Sequence, residues 1–155
     1  MTFNIFLSYS TMDLETAKRL QSYLAQIQGT RVFLSEASLI LGQLSDALIN
    51  EIKQCNLFIV LYSKNSQNSN YVQQEIGVAR GQGKIVIPVL LDAEAKPDAM
   101  LQGVSYIALY DEQKRNMQLP RLYAYISQES QRKATGQFLL ALGAIWLLGN
   151  ALSER

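Results

Sequence analysis

The chain has 155 residues, 48% of them hydrophobic, a formal net charge of +1, one cysteine (Cys55) and no histidine. That length suits a single domain with an ample core, and the near-neutral charge gives no case for nucleic acid as a partner. Without histidine there is no Ser-His or Cys-His catalysis and no histidine metal site, and one cysteine allows no intrachain disulfide; carboxylates are left as the chemistry, with no metal expected.

Met1-Thr2-Phe3-Asn4 runs straight into a strand, Phe3 to Tyr9, with no signal-peptide pattern. The polar turn Ser8-Tyr9-Ser10-Thr11 ends it, and Asp13 is a good N-cap for the helix that follows. Leu14, Ala17, Leu20, Leu24 and Ile27 keep helical spacing until Gly29 stops the helix. Arg31 to Leu34 reads as a second strand and Ser35 to Gln43 as a loop containing Leu39-Ile40-Leu41-Gly42. Leu44, Leu48, Ile52 and Cys55 give one face of a second helix, with Cys55 as a buried thiol of a reducing compartment. Leu57 to Tyr62 is apolar throughout, as a central strand covered on both faces should be.

The polar stretch Ser63 to Asn70 leads into a helix over Tyr71–Gln82, with Val72, Ile76 and Ala79 as its core side. Lys84 to Leu91 is the next strand, in which Pro88 is awkward because it cannot donate to a central ladder. Asp92 to Gln102 reads as a loop and Val104 to Leu109 as a final strand. Pro120 fits the first turn of a last helix ending near Ser130.

Strand and helix alternate five times, so the expected fold is α/β: a flavodoxin-like, five-stranded parallel sheet of order 2-1-3-4-5 with helices on both faces. In such sheets ligands bind beyond the carboxyl ends of the strands, at the switch point between strands 1 and 3. That rule selects the loops Ser8 to Asp13 and Ser63 to Asn70, and the second delivers Tyr71 and Glu75, which share a helix face at i, i+4. No P-loop is present, Gly81-Gln82-Gly83 precedes a strand instead of following one, and no acceptor aspartate stands at Leu61-Tyr62-Ser63. Each candidate also has a plain structural role. Glu75 could be a solvated residue favoured by the helix dipole, Tyr71 a cap on the loop, Asp13 an N-cap and Leu39–Leu41 a loop plug.

These residues resemble the TIR domain in its bacterial form, over about residues 3 to 130. Phe6-Leu7-Ser8-Tyr9-Ser10 with Asp13 looks like the family's box 1, and Leu39-Ile40-Leu41-Gly42 sits where its BB loop lies. Tyr71-Val72-Gln73-Gln74-Glu75 matches the aromatic-x-x-x-Glu motif of NAD-cleaving members, with Tyr71 in place of the usual tryptophan. Leu122-Tyr123 stands where animal signalling members have Phe-Trp. The resemblance implies cleavage of the nicotinamide–ribose bond of NAD+, a substrate and not a cofactor, to ADP-ribose or a cyclised isomer. It implies Glu75 as the catalytic carboxylate, Tyr9, Ser10, Asp13 and Tyr71 as substrate contacts, and homo-oligomers in which Leu39–Gly42 of one copy completes the site of another. Such an enzyme would serve antiviral defence; a non-catalytic adaptor or a host-mimicking effector are the alternatives.

The expected division is a TIR domain over 1–131 and a C-terminal apolar helix over 132–155. Residues 134–153 carry no charge and, at ~1.5 Å per residue, reach roughly the 30 Å of a bilayer core. Arg132 and Lys133 precede them, which suits a cytoplasmic domain held to the inner face of the membrane. A self-association helix is the other reading of this tail.

Overall fold

The computed structural model describes residues 1–35, 44–95 and 105–136, together with the backbone of 39–40 and 43. Strands β1 (Phe3–Ser8), β2 (Thr30–Leu34), β5 (Leu57–Tyr62), β6 (Val86–Leu90) and β7 (Ile107–Ala108) form one sheet. Its order is β2-β1-β5-β6-β7 and every pairing is parallel. This is the expected 2-1-3-4-5 arrangement. The switch point falls between β1 and β5, whose neighbouring connections leave in opposite directions.

Alternation along the strands divides the core in two. Phe3, Ile5, Leu7, Leu57, Ile59 and Leu61 face α1 (Leu14–Ala25) and α5 (Glu112–Ala134). Phe6, Phe58, Val60 and Tyr62 face α2 (Asp46–Gln54) and α4 (Asn70–Gly81). On that second side Phe6 stacks on Phe58, with centroids 5.2 Å apart and planes 7° from parallel. Each such buried ring or aliphatic chain contributes roughly 1.5–3 kcal/mol of transfer free energy.

Pro88 is accommodated by the sidedness of the ladder. Leu91 N–H donates to Tyr62 on the β5 side, whereas the Leu90 carbonyl accepts from Leu109 on the β7 side. Pro88 alternates with Leu90, so its missing N–H faces β7, which pairs only with Val89 and Leu90. Among the described residues no ladder bond is forfeited.

Four sequence expectations are corrected. Leu44 does not open the second helix: Gln43–Leu44 forms β4, antiparallel to β3 (Leu39–Ile40), and α2 starts at Asp46 behind the Ser45 side chain, which accepts from Leu48 N–H. Cys55 likewise lies at the C-cap, outside that helix. The polar stretch after β5 contains a short helix, α3 (Lys64–Gln67), stabilised by a reciprocal Ser63–Ser66 capping box. The last helix begins at Glu112, where Asp111 Oδ1 accepts from Lys114 N–H, so Pro120 lies well inside it and gives up the hydrogen bond to Asn116. Burial of Leu122, Tyr125 and Ile126 on one face, and a 2.8 Å bond from Ala108 N–H to Gln118 Oε1, hold the helix through that break.

The final strand is shorter than Val104–Leu109; Val104 lies outside the described residues, as do Leu41, Gly42 and 137–155. Among the described residues no helix is long and apolar enough to cross a membrane. α5 runs to Ala134, past the expected division between 131 and 132, and Lys133 Nζ donates to Thr2 O at 2.6 Å and Asn56 Oδ1 at 2.7 Å.

Candidate active site

The helix that carries the candidate carboxylate starts at Asn70, where the Ser69 hydroxyl accepts from Val72 N–H. One turn of spacing then puts Tyr71 and Glu75 on the same face, turned inward against β1 and the end of β2. Glu75 is 0% exposed and Tyr71 6%.

Both carboxylate oxygens of Glu75 are met by serine hydroxyls. Ser8 Oγ donates to Oε1 at 2.7 Å, and Ser35 Oγ donates to Oε2 in a short contact. The Ser35 hydroxyl is also in short contact with the Tyr71 phenol. Tyr71 also hydrogen-bonds Glu75 itself, so three hydroxyls, those of Ser8, Ser35 and Tyr71, converge on the one carboxylate. Ser8 is the last residue of β1, and Ser35 follows β2, its backbone N–H donating to Leu7 O at 3.0 Å.

Burial dominates the electrostatics. It raises the Glu75 pKa to about 7, against the lowering effect of the hydrogen bonds from Ser35, Ser8 and Tyr71. Near neutral pH this group is therefore divided between acid and carboxylate. Burial, followed by the neighbouring Glu75 charge, pushes the Tyr71 phenol well above its ordinary range, with a smaller addition from Tyr9. Tyr71 stays a hydrogen-bond donor throughout the physiological range.

The remaining sequence candidates divide. Tyr9 is 6% exposed and packs with Leu7, Ala17 and Leu20 on the α1 side of the sheet. Ser10 accepts from Met12 N–H and caps the 3-10 turn Thr11–Asp13. Asp13 stands at the N-cap position of α1 without making a side-chain capping bond. Its carboxylate instead accepts from Ser63 Oγ at 2.6 Å and Asn65 Nδ2 at 3.3 Å. Asp13 thus ties together the two strand-tip loops on either side of the switch point. Leu39 and Ile40 lie in β3, whose partner β4 rests against α4, while Leu41 and Gly42 are outside the described residues. Among the described residues no group of three acidic or cysteine side chains could hold a metal.

Sequence reasoning passed over Ser8 and Ser35 as site residues. One signal was available: in a 2-1-3-4-5 sheet the ends of β1 and β2 are neighbours, and a serine follows the apolar run of each, Ser8 as the last residue of β1 and Ser35 directly after β2. A small hydroxyl at a strand tip, placed between buried residues, needs a polar partner.

A family model described as TIR domain matches residues 5–123. No curated protein matches. Among solved structures, the TIR domain of the Toll-related receptor TRR-2 from Hydra magnipapillata is similar with a TM-score of 0.66 and 17% identity, over 81% of this chain and 98% of that one. The CMP N-glycosidase BcmB of Clostridium botulinum is similar with a TM-score of 0.54 and 25% identity, over 79% of this chain and 98% of that one.

Proposed function

The chain belongs to the TIR domain family, and from that premise we propose that it cleaves the nicotinamide–ribose bond of NAD+, with Glu75 as the catalytic carboxylate. One observation carries this reading: a glutamate withdrawn from solvent at the tips of parallel strands, its two oxygens already engaged by hydroxyls. A carboxylate that accepts from hydroxyls in this way is suited to the hydroxyls of a ribose. As nicotinamide departs, positive charge develops on the sugar ring, and a carboxylate in a low-dielectric site offsets it strongly.

The Clostridium protein supports the bond class, since its name makes it an N-glycosidase of a nucleotide. Attack by water on the ribose yields ADP-ribose, and attack from within the same molecule yields a cyclic isomer. Tyr71 walls the nicotinamide end with Tyr9 behind it. Ser10 and Asp13 act by shaping the loop between β1 and α1. Self-assembly brings Leu39–Gly42 of one copy to the site of the next, and 134–153 holds the domain to the inner face of a membrane. The setting we propose is NAD+ consumption in bacterial antiviral defence.

The test is nicotinamide release from NAD+ by the full-length protein, with mass spectrometry of the ribose product. Glu75→Ala should abolish release while the far-UV circular dichroism is kept. Equal turnover by wild type and variant would remove Glu75 from the chemistry.

A further inference from the structure

Ser8 donates to Oε1 of Glu75 and Ser35 to Oε2, and Tyr71, carried on the same helix as Glu75, adds a third hydrogen bond. With no part of the residue exposed, a ribose hydroxyl reaches the carboxylate only where one of the side chains covering it moves aside. The two serines are not held alike. Ser8 lies in β1, between β2 and β5, and pairs with Val60 inside the sheet. Ser35 lies just past β2, an edge strand whose last register pair is Leu7 with Leu34, and its backbone N–H to Leu7 O is the last bond of that ladder. Positions beyond the end of an edge strand open at lower cost than those within a central one.

We propose that Ser35 is a positioning residue whose hydroxyl holds, before substrate enters, the place on Glu75 that a ribose hydroxyl then takes. This rests on the reading of Glu75 as the ribose-binding carboxylate. The exchange is like for like: one O–H donor on Oε2 leaves and another arrives, so the carboxylate loses no hydrogen bond. Ser8 stays on Oε1 throughout and keeps the carboxylate oriented. Tyr71, which shares the Ser35 hydroxyl, turns its phenol to the incoming group. Until the exchange, Ser35 keeps Glu75 solvated by protein groups alone, and its bond offsets part of the burial that raises the proton affinity of Glu75.

The full-length wild type, Ser35→Ala, Ser35→Cys and Ser8→Ala are compared in NAD+ turnover across pH, with KM and kcat resolved and NAD+ affinity measured by calorimetry. Ser35→Ala removes the group that substrate must displace, so KM falls about three- to tenfold. Ser35→Cys keeps the volume but donates weakly, so its KM falls less and in the same direction; it carries the test if the alanine variant does not fold. Ser8→Ala, which removes a bond that persists, lowers kcat/KM without lowering KM. The acid limb of the Ser35→Ala profile moves to higher pH, because a bond that favours the ionised form is gone. A KM for the Ser35 variants equal to or above the wild-type value overturns the proposal. A wild type that neither binds nor turns over NAD+ overturns the reading of Glu75 itself, and the role of Ser35 falls with it.

Discussion

Glu75→Gln should make the protein more stable above neutral pH while removing its proposed chemistry. Burial raises the Glu75 pKa from its ordinary 4.5 to about 7. Below pH 4.5 the group is protonated in both folded and unfolded chains and costs nothing. Between 4.5 and 7 the unfolded chain gives up its proton while the folded chain keeps it, so stability falls as pH rises, and above 7 the full cost is in force. At about 1.36 kcal/mol per pH unit, that interval amounts to roughly 3 kcal/mol. Glutamine keeps the shape and carries no charge. Ser8 still donates to its carbonyl, and its amide donates to Ser35 Oγ, a reversal that costs about 1 kcal/mol. The variant is then about 2 kcal/mol more stable than wild type at pH 8, and slightly less stable at pH 4. Urea unfolding at both pH values reads this directly: with a slope of ~1–3 kcal/mol/M, the midpoint at pH 8 rises by about 1 M. A stability difference between variant and wild type that is the same at pH 4 and pH 8 would refute the reasoning, since Glu75 would then carry no folding-linked proton.

Three further outcomes follow from the geometry. Gly29 has φ of 80°, and a Cβ there would stand 2.8 Å from Ser130 Oγ, which donates to Gln28 O; Gly29→Ala should cost about 1–2 kcal/mol, read as a lower urea midpoint at unchanged slope. Asp13→Ala removes both bonds to the β5 loop and should cost about 1–2 kcal/mol, and a double-mutant cycle with Ser63→Ala should show coupling; a capping role for Asp13 would give additive losses. Burial raises the Cys55 thiol to about 11, so a maleimide at pH 8 should label the native protein slowly and the urea-unfolded protein completely. Fast native labelling would contradict the burial.

Much of the architecture was legible in the residues. The unbroken apolar run Leu57–Tyr62 is the central strand β5, and Val72, Ile76 and Ala79 are buried along α4. The switch-point rule paired the loops after β1 and β5, and the Asp13–Ser63 hydrogen bond joins them. The misreadings have a shared cause. Leu44 fits a helical spacing as well as a strand, and only its pairing with Leu39 decides between them. Pro120 suggested a helix start because a proline inside a helix loses a hydrogen bond, yet the packing of Leu122, Tyr125 and Ile126 outweighs that loss.

The sequence by itself determined the alternation of strands and helices and the spacing that turns Tyr71 and Glu75 the same way, because these depend on local period. The order 2-1-3-4-5 was expected as the commonest one for five such strands, and strand pairing in the folded sheet fixes it. Tertiary structure alone decided what Glu75 meets there. Ser8 and Ser35 stand 67 and 40 positions from it in the chain, and no periodicity links residues so far apart. They converge because β2 and β1 end side by side under α4, and a carboxylate closed off from water must take its hydrogen bonds from whatever hydroxyls the strand tips supply.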